Sequence, residues 1–178
     1  LEYASLRRSA GLIDLSHRAT VEITGSERIE FLQRMLTQDL VGVGKSLPSM
    51  ACRDSFWCNR QGRIAADLRL KLLDDRVLVD IDIHACQRLI DTLDAFLIAD
   101  DCELVDATNR WHRLGLHGPA SRAVLEDAAE LITGDPSLPN TATQWRLKHS
   151  QGAAEQPTFT AAHRPVLGTI GYELTIGF

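Results

Sequence analysis

Two stretches of this chain follow the same plan, and that recurrence constrains the fold more than any other feature. Val21-Glu22-Ile23-Thr24-Gly25-Ser26 and Leu114-Gly115-Leu116-His117-Gly118-Pro119 each read as a strand, a glycine and a helix-opening residue. A helical pattern follows each: Ile29, Leu32 and Leu36 with Phe31 and Met35 in the first, and Val124, Leu125, Ala128, Leu131 and Ile132 in the second. Ser26 is placed to cap the first helix, Glu27 and Glu30 suit its positive end, and Pro119 suits the first turn of the second. A unit used twice predicts two structurally related halves with a ligand between them.

The rest of the chain alternates helices with pairs of strands. Tyr3, Leu6 and Ala10 have helical spacing, and Gly11 reads as the C-terminal cap of that helix. Strands are expected over 20–24, half-buried by its alternation, and over 50–58, 64–73 and 76–81, with Asp74-Asp75 as a hairpin turn. A helix over 84–97 places Cys86, Leu89, Ile90, Leu93 and Leu97 on one face with Asp82 as its cap, and 102–107 returns as a strand. Polar loops at 134–143 and 151–157 separate further strands at 145–149, 158–161 and 171–176. The expected class is α+β, with antiparallel-rich sheets and flanking helices. One domain is expected over 1–178, with halves 1–108 and 109–178.

With 178 residues, 44% of them apolar and 24% charged, the chain can bury a core and shows no sign of disorder. A net charge of −5 gives no broad field for phosphate backbones, which argues against a nucleic-acid partner. No apolar run approaches the roughly 18–20 residues of a membrane span. The start, Leu1-Glu2-Tyr3-Ala4, lacks the form of an export signal, so a cytoplasmic location is expected, with no membrane partner. Cys52, Cys58, Cys86 and Cys102 are widely spaced without a C-x-x-C pair and read as buried thiols. His112 and His117 are five residues apart around a strand-like run, so no metal site is expected.

Three groups of segments carry a resemblance. The first is 10–18 (Ala-Gly-Leu-Ile-Asp-Leu-Ser-His-Arg), followed by Ile23-Thr24-Gly25 and by 31–40 (Phe-Leu-Gln-Arg-Met-Leu-Thr-Gln-Asp-Leu). The second is 58–68 (Cys-Asn-Arg-Gln-Gly-Arg-Ile-Ala-Ala-Asp-Leu), and the third is Leu116-His117-Gly118-Pro119 with Gly171-Tyr172-Glu173. In this order they resemble the folate-binding glycine-cleavage T-protein (aminomethyltransferase) superfamily over nearly the whole chain. The wording Gln61-Gly62-Arg63, where T-proteins carry a double glycine, is similar to the YgfZ-type branch. Those are tetrahydrofolate-binding proteins linked to iron–sulfur protein maintenance.

The resemblance implies a tetrahydrofolate ligand and assigns roles to residues that the pattern alone reads otherwise. On its strand Asp67 shares a face with Ala65, Arg69 and Lys71, which by itself reads as a solvated carboxylate, and Glu173 by itself reads as an outward strand residue. By resemblance Asp67 is the catalytic carboxylate that orients the acceptor nitrogen, with a pKa raised by partial desolvation. Glu173 accepts from the paired N–H donors of the pterin, with Tyr172 beside it on the same strand. Asp54 stands where T-proteins carry a pocket tyrosine, Asp80 where they carry an asparagine, and Val166 where they carry a tyrosine seven residues before the glutamate. An extra carboxylate near Asp67 is expected to raise the pKa of one of the pair. The implied partners are a lipoyl carrier protein, for aminomethyl transfer, or iron–sulfur proteins.

Overall fold

The computed structural model describes residues 2–41, 50–148, 156–165 and 168–177. In chain order its elements are α1 (Glu2–Arg8), β1 (Gly11–Asp14), β2 (Arg18–Thr24), α2 (Arg28–Met35), β3 (Cys52–Cys58), β4 (Ile64–Leu72), β5 (Val77–Asp82), α3 (Cys86–Asp94), β6 (Glu103–Asp106), β7 (Trp111–His117), α4 (Ser121–Ala128), β8 (Ala129–Thr133), β9 (Ala142–Leu147), β10 (Thr158–His163) and β11 (Gly171–Gly177). Two antiparallel sheets with few helices make this an α+β fold. Contacts gather into two compact units, one of His17–Asn109 and one of Leu1–Ser16 with Arg110–Phe178. Val166 and residues 151–155 of the second polar loop lie outside the described residues.

In the His17–Asn109 unit the sheet order is β3-β4-β5-β2-β6. Alternation along the strands sends Val21, Ile23, Leu68, Leu70, Val79 and Ile81 to one face, where Phe31 and Leu32 of α2 and Leu89 and Leu93 of α3 close the core. The expectation of a half-buried β2 is corrected here. Thr20 and Glu22, on the opposite face, are also buried, and so is Asp80 of β5. Such polar groups are tolerated inside only when paired. Glu22 accordingly accepts from Arg76 at 3.1 Å.

The hairpin at Asp74-Asp75 forms, with Leu73 N–H donating to Arg76 O at 2.8 Å. Asp82 caps as expected, accepting from His84 N–H at 2.9 Å at the start of a short 3₁₀ turn that leads into α3. Ser26 does not cap α2. Its hydroxyl donates instead to Asp101 Oδ2 at 2.6 Å, while Glu27, the residue before the helix, takes Asp101 N–H on its carboxylate. Asp101 offers Ser26 a charged acceptor, a stronger partner than a helix N–H.

In the other unit the order is β1-β7-β11-β10-β9-β8. Leu116, Trp145, Phe159, Tyr172 and Leu174 line its core face beneath Leu125 of α4. Here two expectations are corrected. Gly11 does not cap a helix running to residue 10; α1 ends at Arg8 and Gly11 opens β1. Leu131 and Ile132 do not extend α4 but lie in β8, because Ala129 already turns to extended backbone (φ −139°, ψ 159°) and β8 pairs with β9.

The repeated plan is present in both units. Gly25 after β2 and Gly118 after β7 have φ of +103° and +124°, and a Cβ there would lie 2.1 Å from Asp101 O and 2.3 Å from Ser9 O. Only glycine satisfies both the left-handed backbone and the close approach. The sequence echo therefore records a shared strand-to-helix turn.

Candidate functional site

Cross-strand register places Thr20, Asp80, Arg69 and Asp54 in one row across β2, β5, β4 and β3. Asp67 is two residues before Arg69 and so shares that face. Three of the five predicted site residues, Asp54, Asp67 and Asp80, are thus brought to one face of one sheet.

Arg18, at the start of β2, organises this face. Its Nε donates to Asp80 Oδ1 and its Nη2 to Asp80 O, and Nη2 reaches Asp67 Oδ2 at 3.2 Å. The two carboxylates differ in environment: the Asp80 side chain is 1% exposed, the Asp67 side chain 56%. Asp80 is therefore the buried anchor that holds the guanidinium, and Asp67 is the carboxylate left open to solvent.

This arrangement overturns the expectation of a raised pKa at Asp67. Partial burial does push its pKa up, but the hydrogen bond and charge of Arg18, helped by Arg69, outweigh that and hold it below the ordinary 3.8. At neutral pH Asp67 is an oriented anion and a weak base. Beside it lies a hollow of about 380 Å³ whose wall includes Asp82, His84 and Arg88.

Glu173 occupies the middle of β11 and is buried. Arg113 of β7 donates from Nη1 to its Oε1 at 3.1 Å, and Arg164 Nη1 lies 3.8 Å from Oε2. Its cross-strand neighbours are Gly115 and Ala162, and from β7 it is the Arg113 side chain that reaches the carboxylate. Tyr172, one residue earlier, projects to the opposite face, where its ring is in the core and its hydroxyl donates to Pro136 O at 3.2 Å. Glu173 and Tyr172 are thus separated by the sheet itself.

Sequence reading missed Arg18, Arg113 and Arg164. A signal existed for the first: Asp80 interrupts the apolar run Val77–Asp82, and a charge in a strand buried on both faces requires a counter-ion. None of the four cysteines is in a disulfide; Cys86 is buried and the others half-buried. Among the described residues no group of three or more His, Cys, Asp or Glu is placed to hold a metal, and no helix is long and apolar enough to cross a membrane.

The sequence profile of the GCVT N-terminal domain matches residues 1–176. The aminomethyltransferase of Anoxybacillus flavithermus is 30% identical over 137 residues, 76% of this chain and 35% of that protein. That of Halalkalibacterium halodurans is 27% identical over 130 residues, 72% and 34% of the two chains. The chain therefore spans about a third of the length of the curated relatives it matches. Among solved structures, the glycine cleavage system aminomethyltransferase T from Bartonella henselae superposes with a TM-score of 0.77 at 24% identity, over 99% of this chain and 44% of that one. Heterotetrameric sarcosine oxidase from Corynebacterium sp. U-96, in complex with pyrrole 2-carboxylate, superposes with a TM-score of 0.61 at 17% identity, over 99% and 81%. Both likenesses are of fold.

Proposed function

Because the chain belongs to the GCVT N-terminal domain family, we propose that it binds tetrahydrofolate and contributes to transfer of an aminomethyl-borne one-carbon unit from a lipoyl carrier protein. The observation that carries this reading is Asp67. It is an anion held by Arg18, open to solvent, at the edge of a hollow large enough for part of a small molecule.

Bound tetrahydrofolate would supply the nitrogen that takes up the one-carbon unit, the amine leaving as ammonia and the carrier's sulfur as a free thiol. Asp67 accepts a hydrogen bond from that nitrogen's N–H and stabilises positive charge that develops there. Its low pKa assigns it orientation and electrostatic stabilisation rather than strong proton abstraction. Arg18 fixes the carboxylate's direction, and Asp80 fixes Arg18. Asp54, in register with Arg69, adds negative charge to the same face.

Glu173 is the carboxylate proposed for the pterin's paired N–H donors. Held by Arg113 at 3.1 Å with Arg164 3.8 Å away, it is an oriented anion of the kind that N–H donors recognise. Tyr172 supports that strand from the core side rather than touching the ligand.

Calorimetric titration with tetrahydrofolate tests the reading: saturable binding supports it, and a silent titration at millimolar ligand removes folate from the account. The wording Gln61-Gly62-Arg63 favours a second reading, a non-enzymatic YgfZ-type folate-binding factor supporting iron–sulfur proteins. Folate binding without ammonia release from an aminomethyl-lipoyl carrier distinguishes it.

A further inference from the structure

Arg113, Gly115 and His117 alternate onto one face of β7, and the middle residue, which has no side chain, is the cross-strand partner of Glu173. Arg113 reaches Glu173 Oε1 from one side of that bare position, at 3.1 Å. His117 folds back over it from the other side. A Cβ on Gly115 would lie 2.7 Å from His117 Nε2, and one on Gly171 would lie 2.2 Å from His117 Nδ1. The imidazole therefore lies along the sheet, on the uncovered backbone of two glycines.

This placement distinguishes the two ring nitrogens. Nδ1 is buried against Gly171, and Nε2 stands at Gly115, directly across from Glu173. Opposed Cβ positions in such a pair are about 4.5–5.5 Å apart, so Nε2 stands within about 8 Å of the Glu173 Cβ. The carboxylate is meanwhile oriented by Arg113 and by Arg164, 3.8 Å from Oε2. The row ends on β1 in Ile13, the partner of Gly115 on its other side, which is 41% exposed and adds an apolar surface.

An acceptor and an imidazole nitrogen side by side match one kind of ligand edge: two adjacent N–H donors for the carboxylate, then an acceptor for a ring N–H. A 2-amino-4-oxopyrimidine, alone or fused, has that order in its amino group, its ring N–H and its carbonyl oxygen. An imidazole carries its proton on either nitrogen, and the carbonyl selects the form protonated at Nε2. A ring edge with carbonyls on both sides of one N–H sets an oxygen against the carboxylate instead.

We propose that His117 is a further ligand-binding residue of the Glu173 site, its Nε2–H donating to the ring carbonyl beside the N–H donors that Glu173 accepts. This deepens the folate reading and rests on it for the identity of the ligand, whose pterin is a fused 2-amino-4-oxopyrimidine. The two side chains together read the ring edge as donor, donor, acceptor.

The experiment combines calorimetric titration with ¹⁵N NMR of the imidazoles in the wild-type chain, His117→Phe and His117→Gln. Phenylalanine keeps a flat ring without an N–H, and glutamine keeps a side-chain N–H. Urea unfolding checks that both variants fold. With tetrahydrofolate, the His117 Nε2 resonance of the wild type is expected to shift saturably. Binding is expected to weaken at least about fivefold in His117→Phe and less than about twofold in His117→Gln, the loss and the retention of one hydrogen bond. An imidazole that only packs gives neither the Nε2 shift nor the rescue by glutamine. Equal affinity of wild type and His117→Phe, an equal loss in both variants, or an Nε2 resonance unmoved at saturation overturns the proposal.

If tetrahydrofolate does not bind the wild type, the folate reading fails and two fragments decide the His117 assignment. Isocytosine, the free 2-amino-4-oxopyrimidine, shifting Nε2 saturably while uracil does not, upholds it for another ligand with that ring edge. No shift with isocytosine, or an equal shift with uracil, overturns it.

Discussion

Arg113 donates to Glu173 across 3.1 Å, and both side chains are buried on one face of the sheet formed by neighbouring strands β7 and β11. Removing one member takes from the other its hydrogen-bonded counter-charge inside the protein, and breaking such buried pairs costs about 3–5 kcal/mol. Arg113→Met is therefore expected to lower unfolding free energy by about 3 kcal/mol, the low end because Arg164 remains 3.8 Å from the carboxylate. The double variant Arg113→Met with Glu173→Leu should recover most of the loss. Urea unfolding of the three proteins checks this, and an unshifted midpoint for the single variant contradicts it.

Glu173 has a second consequence, for ligand affinity. Glu173→Ala is expected to weaken reduced-folate binding at least about tenfold, the loss of hydrogen bonds to a charged acceptor. An unchanged dissociation constant separates the structural role of the Arg113 pair from any role in recognition.

The fold was largely legible in the sequence because most elements announce themselves by period. The exceptions have physical causes. Leu131 and Ile132 continue an apolar spacing that suits α4, and nothing local says that Ala129 leaves the helix to pair with β9. Gly11 has the form of a helix cap, but it opens β1, and what makes it a strand residue is its pairing with His117 rather than anything local.

In the site, the carboxylates were readable and their cationic partners were not. Arg18 meets Asp80 and Asp67 across sequence separations of 62 and 49 residues. Such a pairing depends on strand register, which a single strand's pattern does not encode. The consequence was an error of sign at Asp67: burial alone raises a carboxyl pKa, and the guanidinium that reverses the shift comes from another strand.

That sign has a pH dependence. The folded pKa of Asp67 lies below its unfolded value, so the stabilisation from Arg18 is complete above the ordinary carboxylate pKa of about 3.9 and is lost only as pH falls through the lower folded value. Between pH 5 and 8 this pair should contribute no slope to stability. Carboxyl ¹³C chemical shifts of Asp67 followed from pH 7 to 2 should give a midpoint below 3.8, and a midpoint above 5 would restore the raised-pKa expectation.

Asp67→Asn keeps the shape and removes the charge. Folding and folate affinity are expected to change by less than about threefold, while ammonia release in a carrier-coupled assay falls about a hundredfold, in the range of a lost positioned charge. Equal turnover of variant and parent removes Asp67 from the chemistry.

The cysteines divide by environment. Burial, then the charge and hydrogen bond of Asp106, push the Cys86 thiol up to about 11, with Thr108 opposing. Burial, then Asp100 and Asp101, do the same to Cys102, also to about 11. Since the thiolate is the reactive species, both should resist an aromatic disulfide reagent at pH 8, leaving Cys52 and Cys58 to label first. Mass mapping after brief exposure checks the order, and early modification of Cys86 contradicts it.

The repeated strand-to-helix turn makes a contrast among three glycines of positive φ. At Gly62 (φ +73°) a Cβ meets nothing within 4 Å, so Gly62→Ala carries only the left-handed backbone cost of about 1–2 kcal/mol. At Gly25 and Gly118 the same backbone cost is joined by a carbonyl oxygen 2.1 Å and 2.3 Å from the new carbon, which forces the chain of Asp101 or Ser9 to move. Gly25→Ala breaks the turn that seats Ser26 and Glu27 on Asp101, and Gly118→Ala breaks the one where Ala120 N–H donates to Ser9 O at 3.0 Å. Each should destabilise by more than about 3 kcal/mol, above the whole range expected at Gly62, because strain and clash add. Thermal unfolding of the three alanine variants reads this directly. Similar losses at all three positions would mean that backbone conformation alone, and not the close approach common to both units, fixes these glycines.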